Sequence, residues 1–245
     1  MTEHIQTVVV GAGVVGLAAA RALAMSGREV IIIEGEDAIG TQTSARNSEV
    51  IHGGMYYVKD SHKARLCVKG KQMLYNYCES HGVNHSRTTK LIVATADEEV
   101  PALEEIRQKA IVNGVHDLRY VEPDEIRELE PNVSAVRALL SPSTGLVDTH
   151  GLMLSYLGDA ESHGAMLALS SPVLSGRIDN GQIILQVGGE APMELACSEL
   201  VNSAGHGALK FGASLEGLAS EHVPPEPKLK AKGNCFIYSG KSPFS

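Results

Sequence analysis

The sequence predicts an α/β protein that starts with a parallel βαβ unit and continues into a part rich in antiparallel strands. A β-branched run, Thr7–Val10, leads through glycines into the Ala- and Leu-rich segment Val14–Met25 and then into a second apolar run, Glu29–Ile33. Strand, helix and strand at this spacing are typical of a right-handed crossover unit. Further along, Asn180-Gly181 separates two short strand-like runs and indicates a hairpin turn.

Hydrophobic spacing and stop signals predict the other elements. Ser61 can cap a helix that Gly82 ends. The other predicted helices are Pro101–Val112, Pro123–Pro131 and a segment from Asp148 or Thr149 to His163. The other predicted strands are Lys90–Thr95, Met166–Leu169, Val173–Ile178, Gln182–Val187, Leu200–Asn202 and Ala231–Ser239, while Ala135–Leu140 and Gly145–Asp148 fit a strand or a turn. Thr41–Tyr57 shows the hydrophobic repeat of neither a helix nor a strand, so we expect an ordered functional loop there.

Composition excludes several classes of protein. The chain is 43% hydrophobic and 20% charged, which is ordinary for a globular protein. A net charge of -8 without a run of basic residues argues against a nucleic-acid partner. No stretch approaches the roughly 20 apolar residues that span a bilayer, and the sequence shows no targeting peptide. The four cysteines lie far apart, so we expect reduced thiols rather than a zinc or redox site.

A GxGxxG motif links the first strand to the first helix. Gly11 permits the tight turn, Gly13 lets a pyrophosphate approach the backbone, and Gly16 lets the helix pack closely on the strands. The N-terminus of the helix, where Val15 lies, would present N–H groups to the phosphates. Glu34 ends the second strand and can bind ribose hydroxyls, which disfavours NADP. The alternative is a tight turn that binds no ligand.

The segments after the βαβ unit distinguish FAD from NAD. An NAD dehydrogenase normally continues with regular βα units, whereas here a long loop containing Gly, Ser and Arg follows the second strand. We therefore predict FAD as the cofactor and a Rossmann-like FAD-binding domain with an interleaved α+β substrate domain. The expected parts are 1–82 and 148–222 for FAD binding, and 83–147 and 223–245 for the substrate domain. Because the chain ends inside a predicted strand, we expect the fold to be incomplete at the C-terminus.

Several specific stretches carry a family resemblance. Thr43–Tyr57, which has the sequence TSARNSEVIHGGMYY, resembles the signature after the second strand in L-2-hydroxyglutarate dehydrogenases, FAD enzymes of the D-amino-acid oxidase superfamily. The resemblance continues through Lys63–Gly70, Gly145–Asp148, Val201–Gly205 and Ala231–Asn234, and so covers essentially the whole chain. The glycine motif is shared across the superfamily, whereas RNSEVIHGG and AKGN are more specific.

The resemblance implies a reaction and a set of cofactor contacts. The reaction is oxidation of the C2 hydroxyl of L-2-hydroxyglutarate to 2-oxoglutarate, with hydride passing to flavin N5 and electrons then passing to an acceptor, quinone or oxygen. By position, the resemblance implies that Arg46, Asn47 and Ser48 line the flavin and its phosphates. It also implies that the backbone of Val173 meets the adenine. Ser203, Ala204 and Gly205 would approach the pyrophosphate. The family suggests mitochondria in eukaryotes and the cytoplasmic side of the inner membrane in bacteria, and is compatible with peripheral membrane association.

His52 is the candidate catalytic residue. Hydride loss from C2 becomes easier as the hydroxyl loses its proton, and a neutral imidazole is a suitable base near neutral pH. His52 lies in the most distinctive stretch of the chain, where it would act as a base or as a hydrogen-bond donor to the substrate. The alternative is a structural histidine that positions the loop or contacts the flavin.

The two carboxylates of the substrate require cations. Arg65, Lys90 and Arg46 are candidates, with a solvated surface position as the alternative for the first two. Tyr57 and its neighbour Tyr56 would bind the substrate or cover the flavin, and simple packing is the alternative. We predict no metal site. His81 and His85 have the i,i+4 spacing of metal ligands on a helix, but Gly82 between them is expected to end the helix.

Two further functions stay open from the sequence alone. The chain could be a non-catalytic FAD-binding fragment, or it could belong to a related FAD-dependent amine or amino-acid oxidase. Turnover of glycine or sarcosine would indicate the second.

Overall fold

The computed structural model describes residues 3–229, 231, 233–234 and 239–244. Its strands are β1 (Glu3–Val10), β2 (Val30–Ile33), β3 (Val50–Ile51), β4 (His85–Ser86), β5 (Leu91–Ala94), β6 (Arg119–Val121), β7 (Arg137–Leu140), β8 (Gly145–Val147), β9 (Met166–Ala168), β10 (Val173–Asp179), β11 (Gln182–Val187), β12 (Met193–Asn202) and β13 (Leu215–Glu216). Its helices are α1 (Val14–Met25), α2 (His62–His81), α3 (Val100–Val112), α4 (Pro123–Leu129), α5 (Thr149–Ser162) and α6 (Ala208–Ala213). Much of the predicted strand Ala231–Ser239 lies outside the described residues.

The chain divides into two compact units. The first comprises Met1–Ser48 and Thr149–Lys230, and the second comprises Glu49–Asp148 and Ala231–Ser245. The division differs from the expected first boundary at residue 82, because α2 packs within the second unit, where its Val68 joins the apolar cluster around Met55. The chain therefore changes unit before α2 rather than after it.

The first unit is built on a seven-stranded sheet. The strand order is β13-β10-β11-β12-β1-β2-β9, in which β12, β1, β2 and β9 run parallel and β10, β11 and β12 run antiparallel. The residues Thr7–Val10 of β1 are buried on both faces, as expected for a central parallel strand. This parallel part confirms the βαβ unit predicted from the sequence.

α1 covers one face of this sheet. Its observed bounds equal the predicted ones, and its Leu17, Ala20 and Ala24 pack in one apolar cluster with Met153 and Ala160 of α5. The small alanine side chains allow the two helices to approach closely. α1 thereby fixes the glycine turn that precedes it.

The hairpin between β10 and β11 has the predicted turn. Asn180 and Gly181 have φ of 48° and 80°, the left-handed values that a two-residue hairpin loop requires. The prediction for β12 was too short, because Glu194 and Glu199 interrupt its apolar pattern. Glu194 is paired with Arg177 of β10 at 2.9 Å, and Glu199 accepts from the Thr7 hydroxyl of β1 at 2.8 Å, so both have partners in the sheet.

The second unit contains two three-stranded antiparallel sheets with orders β3-β8-β4 and β5-β7-β6. α2 begins at the predicted cap, where the Ser61 side chain accepts a hydrogen bond from the Ala64 N–H at 3.1 Å. It ends at Gly82, whose φ of 66° closes the helix in the left-handed conformation. No helix in the described part of the chain is long and apolar enough to cross a membrane.

Candidate functional site

The glycine turn of the first unit excludes side chains at two positions. Gly11 has a φ of 101°, and its N–H donates to the Ile33 carbonyl at 2.8 Å. A Cβ at Gly11 would lie 2.5 Å from the Ser203 carbonyl oxygen, and a Cβ at Gly16 would lie 1.9 Å from the Gly11 carbonyl oxygen. Bare backbone is therefore required where β1 enters α1.

The N-terminus of α1 is held by a loop residue. Gly13 occupies the N-cap position and has no side chain to cap the helix. Instead, the Ser44 Oγ accepts a hydrogen bond from the Val14 N–H at 3.0 Å, while Val15 in the same turn is 70% exposed. Sequence reasoning missed Ser44, whose only signal is a small hydroxyl residue two positions before Arg46. The positive end of the helix dipole favours an anion at this point.

Glu34 lies beside the glycine turn. One carboxylate oxygen accepts from the Ala12 N–H at 2.7 Å, and the other accepts from the Glu36 N–H at 3.0 Å. These bonds hold the carboxylate at the C-terminal end of β2, which is where a ribose meets the acid in dinucleotide-binding folds.

The loop after β2 brings the next predicted residues close to the turn. The Asn47 amide donates to the Ser44 carbonyl at 2.7 Å and so supports the residue that caps α1. The Arg46 guanidinium donates to the Ala45 carbonyl at 3.1 Å, and Arg46, Asn47 and Ser48 are exposed. This loop offers one cation and two polar side chains next to the helix N-terminus.

The remaining predicted cofactor residues lie at the same edge of the sheet. The Ser203 N–H donates to the Val10 carbonyl at 2.9 Å, and the Ala204 N–H donates to the Asn202 side chain at 3.3 Å. Gly205 follows in the left-handed conformation with a φ of 51°. Ser203–Gly205 thus continue β12 beside the end of β1.

Val173 lies on the side of Glu34. Two residues before it, the Ser171 N–H donates to the Glu34 carbonyl at 2.8 Å, and Pro172 faces Gly35. The first unit therefore collects all the predicted cofactor residues around the C-terminal ends of β1, β2 and β12. A glycine cradle, a helix N-terminus and a fixed carboxylate fit the pyrophosphate and ribose of FAD.

His52 lies in the second unit, directly after β3. Its main-chain oxygen accepts from the Cys67 thiol of α2 at 3.5 Å. In the same loop, the Tyr57 ring centroid lies 4.7 Å from Lys63 Nζ, and the Tyr56 ring centroid lies 5.3 Å from Lys90 Nζ. The structure thus joins one histidine, two tyrosines and two lysines through this loop.

The surroundings of His52 favour its neutral form. His52 is exposed, but partial desolvation of its imidazole lowers the pKa, and the charges of Lys90 and then Lys63 lower it further. Burial also raises the pKa values of the Tyr56 and Tyr57 phenols. The neighbouring Cys67 thiol raises the pKa of Tyr57 further. At neutral pH the imidazole can therefore accept a proton and the phenols can donate hydrogen bonds.

Arg65 lies beside His62 on α2, and its proposed contact with the substrate stays a prediction. Its guanidinium nitrogen lies 3.1 Å from His62 Nδ1, on another side of α2 from Lys63 and Cys67. Successive helical residues are about 100° apart, so positions 63 and 65 diverge by roughly 200°. Lys63 and Cys67 are four positions apart, so they share the face of α2 that contacts the loop of His52 and Tyr57.

Comparison with protein families gives a match over nearly the whole chain. The family model described as DAO, FAD dependent oxidoreductase, matches residues 6–240. A protein named L-2-hydroxyglutarate dehydrogenase, mitochondrial, from Arabidopsis thaliana is 39% identical over 97% of this chain and 55% of its own length. The human protein of the same name is 35% identical over 83% of this chain and 46% of its own length. The chain spans about half the length of the curated relatives it matches.

Solved structures confirm the fold class. L-alpha-glycerophosphate oxidase from Mycoplasma pneumoniae, with FAD bound, has a TM-score of 0.82 and 23% identity over 87% of this chain and 57% of that chain. L-proline dehydrogenase from P. horikoshii has a TM-score of 0.74 and 23% identity over 87% of this chain and 56% of that chain. At this identity the likeness shows the fold alone.

Proposed function

Because the chain belongs to the DAO family of FAD-dependent oxidoreductases, we propose that the protein carrying it oxidises L-2-hydroxyglutarate to 2-oxoglutarate. The observation that carries the proposal is the group of His52, two tyrosines and two lysines in the second unit. A neutral base beside two cations is what a 2-hydroxy acid with two carboxylates requires. Relatives named for the same reaction, at 35–39% identity, support the assignment.

The first unit would hold the cofactor. Gly11, Gly13 and Gly16 would admit the pyrophosphate, the N-terminus of α1 would stabilise its charge, and Glu34 would bind the ribose. When bound, FAD supplies the acceptor for a hydride and hence for two electrons. The other proposed contacts of this unit are Val15, Arg46, Asn47, Ser48, Val173, Ser203, Ala204 and Gly205.

The second unit would bind the substrate and move its proton. An imidazole nitrogen of His52 would take the proton of the C2 hydroxyl while hydride leaves C2 with the electron pair of the C–H bond. The C2–O bond thereby becomes the carbonyl of 2-oxoglutarate, and two electrons pass on to a quinone or oxygen. Tyr57 would hydrogen-bond the substrate, and Lys90 would bind a carboxylate. Peripheral membrane association stays a prediction from the family.

A substrate panel tests the proposed reaction. The FAD-loaded protein is incubated with an artificial electron acceptor and L-2-hydroxyglutarate, its D-enantiomer, glycine or sarcosine, and the products are identified by mass spectrometry. We expect 2-oxoglutarate from the L-enantiomer in amounts equal to the acceptor reduced. Turnover of glycine or sarcosine in place of L-2-hydroxyglutarate would assign the protein to the amine oxidases. FAD binding without turnover of any of the four compounds would indicate a non-catalytic FAD-binding protein.

Replacement of His52 tests the proposed base. His52→Ala should lower the rate of flavin reduction by about 10²-fold or more while FAD stays bound, because a positioned base contributes on this scale. His116→Ala is the matched control, since His116 is also an exposed histidine of the second unit. An undiminished rate in His52→Ala would leave His52 a structural role only.

A further inference from the structure

We propose that Lys63 and Lys90 are a carboxylate-binding pair that makes the site selective for dicarboxylic over monocarboxylic 2-hydroxy acids, an inference that rests on the proposed function. Of the cations that the sequence offered, Arg65, Lys90 and Arg46, the pair includes Lys90, and Lys63 is added to it. Each lysine would bind one of the two carboxylates.

The geometry ties both lysines to the loop of His52. Lys63 and Cys67 lie one turn apart on α2, and the Cys67 thiol donates to the main-chain oxygen of His52. The Lys63 ammonium stacks on the Tyr57 ring at 4.7 Å from its centroid. Contact through Cys67 and stacking through Lys63 place this face of α2 against the loop.

Lys90 reaches the same loop from the start of β5. Its ammonium lies 5.3 Å from the Tyr56 ring centroid. The Lys90 N–H donates to the Ser141 carbonyl at 3.1 Å, and the Ser141 N–H donates back to Lys90 at 2.8 Å. These backbone bonds fix Lys90 to the residue that follows β7, so its side chain starts from a rigid position.

Both ammonium groups are available to an anion. Several arginines of the second unit pair with acids, as Arg119 does with Glu125 at 2.5 Å. Among the residues that the structure describes, neither Lys63 nor Lys90 has an acidic partner within ion-pair distance, and both are exposed. Two cations on tyrosine rings, neither of them in an ion pair with a described acid, form a local positive field that would attract a dianion.

Both lysines also act on His52. Their charges lower the pKa of the His52 imidazole, that of Lys90 more than that of Lys63. This agrees with their positions on the Tyr56 and Tyr57 rings of the loop that carries His52. With the C2 hydroxyl at His52, each lysine would bind one carboxylate of the substrate.

Binding of non-oxidisable acids tests the pair separately from the reaction. Glutarate has both carboxylates but no hydroxyl, and butyrate has only one carboxylate. We expect calorimetric titration to show that the unaltered protein binds glutarate more tightly than butyrate. Lys63→Met should weaken the affinity for glutarate about tenfold, on the scale of one charge-assisted hydrogen bond. The same variant should change the affinity for butyrate less than about threefold. Lys63→Arg should retain the selectivity for glutarate.

Matched variants on the same helix complete the design. Lys69→Met replaces another exposed lysine of α2 and should leave glutarate binding unchanged. A loss of glutarate binding in Arg65→Met but not in Lys63→Met would overturn the inference, as would equal binding of glutarate and butyrate by the unaltered protein. Glutarate selectivity that depends on Lys63, without oxidation of L-2-hydroxyglutarate, would support the pair and contradict the reaction instead.

Discussion

At the scale of single residues, Glu34 has two tasks that compete for its carboxylate. Both oxygens already accept backbone N–H bonds, from Ala12 and Glu36, which fix the carboxylate at the end of β2. A ribose hydroxyl would use the remaining lone pairs. The charge of Glu34 therefore matters for the cofactor, while its acceptor oxygens matter for the turn.

Glu34→Gln affects both tasks, and two measurements report them. The amide keeps one acceptor oxygen but loses the charge and the second acceptor, so we expect the Kd for FAD to rise about tenfold and the free energy of unfolding to fall by about 1 kcal/mol, as for loss of one hydrogen bond. Fluorescence titration of FAD measures the Kd, and urea unfolding measures the change in stability. Glu36→Gln is the control, since its carboxylate accepts from the Gln42 side chain at 2.6 Å. Equal FAD affinity in Glu34→Gln and the unaltered protein contradicts the ribose assignment.

Replacement of Lys90 should change the titration of His52. The Lys90 charge disfavours the protonated imidazole and lowers the pKa of His52, so Lys90→Met should raise that pKa. The acid limb of the flavin reduction rate should then move to higher pH, because the imidazole loses its proton later. NMR titration of the imidazole measures the shift directly, with a smaller rise in Lys63→Met and none in Lys69→Met. A lower pKa of the His52 imidazole in Lys90→Met would show that the Lys90 charge does not act on His52 in this way.

Residue positions were only partly accessible from the sequence. The position of Glu34 beside the glycine turn was predictable from the glycine motif and the strand that follows, while its role towards the ribose stays a prediction. The bond of Ser44 to the Val14 N–H joins residues 30 positions apart, and the contact of Lys63 with Tyr57 depends on how α2 packs on the loop, so neither was predictable. Arg65 was selected for its chemistry alone, and only the helical phase of α2 separates it from Lys63.

At the scale of elements, the glycine turn and α1 are the most constrained part of the first unit. Gly16→Ala should destabilise this unit by more than about 2 kcal/mol, because its Cβ would overlap the Gly11 carbonyl oxygen. Gly158→Ala, in the open interior of α5, should instead stabilise by about 0.5–1 kcal/mol. Urea unfolding of both variants measures the contrast. Equal stability of Gly16→Ala and the unaltered protein contradicts the close packing of α1.

Elements with strong local signals were predicted well. The bounds of α1 agree, and α2 has its predicted cap and its glycine end. Very short elements such as β4, β13 and α6 were missed, because two to six residues carry too little periodicity. The first part of β12 was missed because its glutamates find partners only in the assembled sheet.

At the scale of the whole molecule, the predicted roles separate by unit. The residues proposed for FAD belong to the first unit, while His52, Tyr57 and Lys90 belong to the second. The α/β class with interleaved segments was predictable from the βαβ unit and the later antiparallel strands. The boundary before α2 was not, because it depends on which unit buries Val68.

The most direct test of the central claim is the visible absorption spectrum of the purified protein, followed without oxygen after addition of L-2-hydroxyglutarate. We expect a flavin spectrum that bleaches with the L-enantiomer and not with the D-enantiomer, and that bleaches more slowly when C2 carries deuterium because the C2–H bond breaks in the reaction. Bound flavin that keeps its oxidised spectrum with L-2-hydroxyglutarate would contradict the proposed reaction, and a protein that binds no added FAD would contradict the cofactor assignment as well.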